Sequence, residues 1–241
     1  MAVAAADQAL YAIVSGVRPE TIDDVIQTMQ RIDAVLADDD GLKWFNRMYM
    51  VVTRAVDFNP PGGAWKDPEW LLALDVVFAG LYLDAVEGYI SGESTVPSSW
   101  RALLDSRHQQ GIDRIQFALA GMNAHINRDL AIALRKTNAQ CGVDPQAGSS
   151  QKADYDAVNQ LLQSVMPSTL NMLATDTLGV LAQSTGKVGR LLAFWDICKA
   201  RELAWQFAEQ LDELTRIGQT IALTSQDQLT GVIGRAIIAF A

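Results

Sequence analysis

The segment Phe117-Ala-Leu-Ala-Gly-Met-Asn-Ala-His-Ile-Asn-Arg-Asp-Leu130 sets four polar side chains, Asn123, His125, Asn127 and Asp129, among apolar ones. Side chains at i and i+4 are neighbours on a helix, so His125 and Asp129 should touch. A carboxylate beside an imidazole fixes its tautomer and raises its basicity, which makes a general acid or base that works near neutral pH. The same two groups could hold a divalent transition metal. Asn123 and Asn127 form a second i,i+4 pair on the opposite flank, suited to a substrate carbonyl or hydroxyl. At 100° per residue, Ile115, Leu119, Met122 and Ile126 define a core stripe, and Asp129 falls about 40° from its centre. Burying such groups without partners costs roughly 1–3 kcal/mol each, so something must satisfy them. A ligand pocket, a metal and a hydrogen-bond network joining helices all remain open. Gly121 and Ala118 keep the helix thin, so that a neighbour or a ligand can come close. The pair is expected to project into a solvent-reachable hollow.

Two further helices carry acids on apolar faces. Asp84 and Glu87 are i,i+3 in an apolar surround. Later, Trp195, Cys198 and Trp205 form a stripe on which Glu202 lies, with Arg201 pointing elsewhere. Helical bundles build metal sites from inward carboxylates and histidines, so His125, Asp129, Asp84 and Glu202 are a candidate ligand set. The chain has only two histidines. His108, in the junction Asp105-Ser-Arg-His-Gln-Gln-Gly111, is expected to be exposed. That weighs against a dinuclear site and leaves a mononuclear one. Tyr82, Trp195 and Trp205 could form the apolar walls of a substrate pocket. Asp154, Tyr155 and Asn159 either line the same cleft or cap a helix. The sequence has no P-loop, no strand-borne GxGxxG, no GxSxG elbow and no HExxH. Gly186-Lys-Val-Gly189 lacks a preceding strand and reads as a helix start.

Helix-length apolar periodicity dominates the chain that must position these groups. Thr21 with Asp24 gives a capping-box start to a helix that ends at Asp38-Asp39-Asp40-Gly41. A second helix covers 42–56 and breaks at Asn59-Pro60-Pro61-Gly62-Gly63. Asp67-Pro68 caps a helix over 68–90, with Pro at its first position. It is apolar nearly all round, as a central helix would be. A short helix starts at Pro97-Ser98-Ser99-Trp100 and a long one spans 110–136. Residues 138–151, with Gly142, Pro145 and Gly148, are expected to form a long mobile loop. Helices follow over 152–165, 168–181, 187–214 and 225–240. The pattern predicts an all-α fold: a single multi-helix bundle of about eight helices with a buried central helix, occupying residues 1–241.

Composition narrows the functions. The net charge of -9 argues against nucleic acid, which needs clustered Lys and Arg, and against anionic membranes. The most apolar stretch, Leu71 to Leu83, is interrupted by Asp75 and is too short for a bilayer, which takes ~20 apolar residues. Cys141 and Cys198 form no CxxC pair, and the N-terminus lacks the features of a signal peptide. A cytoplasmic protein is expected, with a small-molecule ligand as partner and a homo-oligomer left open.

Through Gly121-Met-Asn-Ala-His-Ile-Asn-Arg-Asp-Leu130 the chain resembles a bacterial domain-of-unknown-function family with the signature Gly-Met-Asn-Ala-His-Ile-Asn-x-Asp-Leu. Two weaker elements extend the likeness: Asp154-Tyr155-Asp-Ala-Val158-Asn159 and Arg201-Glu202-Leu-Ala-Trp205. The resemblance implies a site at these positions and no particular chemistry. A more distant likeness, to the zinc-dependent phospholipase C and single-strand nuclease fold, fails because Leu130-Ala-Ile-Ala-Leu134 supplies no further histidine. The expectation is an enzyme that transforms a small apolar molecule, such as a cyclase, isomerase or hydrolase of specialised metabolism. His125 would be its acid/base, oriented by Asp129, or a ligand to one divalent transition metal. The alternative is a non-catalytic ligand-binding or interaction protein in which the cluster is a structural network.

Overall fold

The computed structural model describes residues 5–58, 60, 63–174 and 196–239. In chain order its helices are α1 (Ala5–Val14), α2 (Ile22–Val35), α3 (Gly41–Phe58), α4 (Pro68–Ser91), α5 (Ser98–Leu104) and α6 (Arg114–Ala124). A π-helical turn (His125–Asp129) joins α6 to α7 (Leu130–Cys141). They are followed by α8 (Ser150–Ala174), α9 (Ile197–Glu213) and α10 (Arg216–Ile238). There is no strand among the described residues, and the fold is an all-α bundle.

The caps are where the sequence puts them. Thr21 accepts from the Asp24 N–H and Asp24 returns the bond. Asp67 accepts from the Trp70 N–H with Pro68 in the first turn, and Gly92, in the left-handed conformation, closes α4. The helix buried on every side is α6, in which each residue from Ile115 to Ala124 is buried. α4 is less enclosed, with Leu72 and Asp84 at its open edge. α3, α5 and α10 pack on α6. The close approach that Gly121 permits is taken up by a neighbouring side chain: a Cβ there would lie 2.4 Å from the Phe45 ring. α10 docks the same way, since a Cβ on Gly231 would meet Ser98 Oγ at 2.4 Å and the Ser98 carbonyl at 2.8 Å.

Several boundaries differ from expectation. α7 runs on to Cys141 and ends at Gly142 in the left-handed conformation, so the connection to α8 is 142–149 rather than 138–151. α8 continues through position 167 as one helix. An interior proline costs one hydrogen bond and bends a helix without always ending it. The helix expected over 168–181 extends past the described residues, as does the start of the one over 187–214. Its described part begins where Asp196 caps Cys198 and Lys199. α10 starts at Thr215, whose hydroxyl accepts from the Gly218 N–H, well before the expected position 225. No helix among the described residues is long and apolar enough to cross a membrane.

Candidate acid–base site

The central helix widens by one residue where the signature lies. The Leu130 N–H bonds to the His125 carbonyl, five residues back, and so defines the π turn. Single π turns inside helices are frequent at functional sites. This one presents His125, Arg128 and Asp129 together. His125 Nδ1 is 3.3 Å from Asp129 Oδ2. Trp100 Nε1 donates to the same oxygen at 2.8 Å, and Arg128 donates to Oδ1 at 2.5 Å. With donors converging on it, the Asp129 carboxylate acts as an acceptor, so Nδ1 carries the imidazole proton and Nε2 the lone pair.

Aromatic rings enclose the imidazole. Phe78 lies flat on it, 3.5 Å between centroids and 6° between planes. Tyr49 meets it edge-on at 4.5 Å, with Phe45 and Trp100 further out. Burial lowers the His125 pKa below the usual 6.5, against the opposing pull of Asp129. The ring is therefore neutral at neutral pH. Its Nε2 is buried and has no hydrogen-bond partner.

Another buried polar atom without a partner is Oδ2 of Asp75. Asp75 precedes Phe78 by three residues on α4, which puts both on one helix face. Burial pushes its carboxyl up to about 7; the Arg201 charge opposes the rise and Asp57 adds to it. The Tyr49 phenol is raised first by burial and then by the charges of Asp75 and Asp129. In the sequence, Asp75 shows only as the charge that breaks the Leu71–Leu83 run.

The other expected site residues divide. Tyr82 belongs to the aromatic wall, its ring 6.4 Å from the imidazole, with its hydroxyl bonded to Asn46. Asn123 donates to the Thr230 carbonyl, Asn127 donates to Asn123, and Gln226 donates to the Asn127 carbonyl. These amides tie α6 and the π turn to α10. Trp205 lies elsewhere, against Trp70 and Tyr155, with its N–H on Glu209. It lines a surface cleft of about 390 Å³ together with Asp144, Asp212 and Glu213. Trp195 lies outside the described residues.

The proposed metal set does not assemble. Asp84 is exposed and pairs with Arg18, while Glu202 pairs with Lys152. The inward stripe of α9 is Ala200, Arg201, Ala204, Trp205 and Ala208, so Arg201 faces in and Glu202 faces out, the reverse of the expected orientation. Arg201 donates to Asn159 Oδ1 and the Tyr155 carbonyl, and the Tyr155 hydroxyl donates to the Arg201 carbonyl. Asp154 accepts the N–H groups of Lys66 and Asp67 ahead of α4. That trio therefore joins helices. Among the described residues, no group of three or more His, Cys, Asp or Glu could hold a metal ion.

The pair does not project into a solvent-reachable hollow lined by the described residues. His125 is 1% exposed and Asp129 is 0% exposed. Phe78 covers the ring, and Trp100 and Arg128 cover the carboxylate. Two surface clefts, of about 460 and 240 Å³, reach Arg128 from outside. Its guanidinium stands between them and Asp129, with Asp227 3.5 Å away on its other side.

A family model described as a family of unknown function, DUF5995, matches residues 22–240 of the chain. No curated protein and no solved structure matches it.

Proposed function

The chain belongs to this family of unknown function, and we propose that it is an enzyme that performs proton-transfer chemistry on a small, rather apolar molecule in its interior. His125 is the acid/base, acting through Nε2, and Asp129 orients it. The observation that supports this is the unpartnered Nε2 at the end of a fully engaged chain, in which Trp100 and Arg128 hold Asp129 and Asp129 holds Nδ1. A buried polar atom with nothing to bond carries a free-energy cost that a purely structural network has no reason to retain. A neutral imidazole suits isomerisation, cyclisation or hydrolysis. Substrate entry requires Phe78 or Arg128 to move. A cytoplasmic location is part of this reading. A metal-dependent version would place one divalent ion on Nε2, with ligands other than Asp84 and Glu202.

The burial of His125 and Asp129 favours a second reading, a non-catalytic protein in which the pair locks the π turn. The two part in one comparison. Wild type and His125→Gln are incubated with an extract of small metabolites, and depletion is followed by mass spectrometry alongside melting temperature and metal content. The enzyme reading expects a compound consumed by wild type and untouched by a variant that melts within about 3 °C of it, roughly 1 kcal/mol for a chain this long. No consumption, with a much lower melting temperature for the variant, supports the network.

A further inference from the structure

Besides Nε2 of His125, two buried side-chain oxygens among the described residues have no hydrogen-bond partner, Thr137 Oγ1 and Oδ2 of Asp75, and of these only Asp75 is a titratable group. In the Trp205 cleft, Asp212 is held by Arg135 and Glu209 by the indole N–H. The buried Arg107 is likewise satisfied by Asp40 and Asp7.

Asp75 lies one turn along α4 from the aromatic wall that covers His125. Phe78, one turn along α4 from Asp75, lies on the imidazole at 3.5 Å. Tyr49 of α3 touches the imidazole at 4.5 Å and contacts Phe78 at 5.9 Å, and its phenol feels the Asp75 charge. The remaining charged neighbours of Asp75 are Arg201 of α9 and Asp57 of α3. Arg201 is occupied by Asn159 and Tyr155, which leaves Oδ2 unbonded.

Resting on the His125 reading, we infer that Asp75 is the second ligand-facing group of the interior site: with Nε2 of His125 it binds the polar ends of one uncharged, hydroxyl-bearing small molecule against the Tyr49–Phe78 wall. The ligand class follows from the chemistry of the two atoms. Nε2 carries a lone pair because Nδ1 holds the ring proton, so the ligand must bring a donor there, and a hydroxyl supplies one. The Asp75 carboxyl, which burial drives toward its neutral form, both donates to and accepts from a second hydroxyl or a carbonyl. Neither group offers a full opposite charge to an ion, and burying an unpaired ion is costly. An anion would also meet Asp129 and Asp57.

Three probes of one shape test this: cyclohexanol, cyclohexylammonium and cyclohexanecarboxylate. Each is titrated into the full chain at pH 6.5 while the ¹⁵N resonance of His125 Nε2 and the carboxyl ¹³C resonance of Asp75 are followed. Cyclohexanol should move both resonances along one saturation curve, and the two ions should move neither. Asp75→Asn should weaken the cyclohexanol response at His125 at least fivefold. A saturable response at His125 with none at Asp75 overturns the inference and leaves His125 as the site. Tighter binding of either ion overturns the ligand class and the inference with it. Silence of both resonances overturns it too, and the His125 reading is then judged separately by the metabolite comparison. The wild-type resonances carry the result should Asp75→Asn fail to fold.

Discussion

Between pH 4 and 7 Asp75 and His125 bias stability in opposite directions. The Asp75 carboxyl is raised from 3.8 to about 7, so the folded chain holds that proton more tightly than the unfolded one. Its contribution is fully present below pH 3.8 and is lost as the pH climbs to 7. At full expression that rise is worth about 4 kcal/mol. Asp75→Asn removes the titration. Relative to wild type the variant should gain melting temperature steadily from pH 4 to pH 7, by roughly 8–16 °C at full expression. A difference that stays flat across the calorimetric pH series would mean that Asp75 is not desolvated. His125 has the opposite sign. Its pKa is lowered from 6.5, so its contribution is complete above pH 6.5 and is lost as the pH falls below that value. His125→Gln should flatten this acid-side loss. At this scale the sequence shows one half of the site and hides the other. The i,i+4 spacing of His125 and Asp129 survives the π turn, because both residues lie on one continuous segment. Asp75 comes to the same region only through the packing of α4 on the π turn, where Phe78 lies on the imidazole, and no spacing within the chain encodes that.

Helices are legible from periodicity and caps, whereas their rotation about their own axes is not. Thr21 and Asp67 mark helix starts by local chemistry, and the structure has them there. α9 shows the opposite case. Its sequence allows either Arg201 or Glu202 on the buried stripe, and only the contacts with Tyr155 and Asn159 select Arg201. The expected metal set lost Glu202 to that rotation and Asp84 to its exposed place on α4. Glycines show the same division. Gly121 and Gly80 both sit inside helices, yet a Cβ on Gly121 would lie 2.4 Å from the Phe45 ring, while one on Gly80 would meet nothing within 4 Å. Gly121→Ala should cost about 1–3 kcal/mol through overpacking, which denaturant unfolding would register as a lower midpoint. Gly80→Ala should raise stability by about 0.5–1 kcal/mol, since alanine loses less backbone entropy in a helix. Equal effects at the two sites would show that helix propensity, and not the α3–α6 crossing, sets the sign.

Over the whole molecule, long-range polar ties bind chain segments that apolar packing alone would leave free to slide. Asp227 of α10 accepts the Ser98 and Ser99 N–H groups at the start of α5. Gln116 of α6 donates to the carbonyls of Ile237 and Ile238. Arg107, 1% exposed, donates to Asp40 ahead of α3 and to Asp7 on α1. Each tie joins residues at least 67 positions apart, which is why none of them could be read from the sequence. The Arg107 tie is the most exacting, because removing one partner strands a charge in the interior. Asp40→Ala should cost about 3–5 kcal/mol, a fall of roughly 6–20 °C in melting temperature. An apolar replacement of both partners strands nothing, so Asp40→Leu combined with Arg107→Met should recover most of the loss. If the double variant melts as low as the single one, the ion pair is itself net stabilising and not merely a charge that must be satisfied. Calorimetry also reads cooperativity. With ties running from α1 to α10, wild type should unfold in one transition, and a second, earlier transition would show α10 detaching from α5 and α6 by itself.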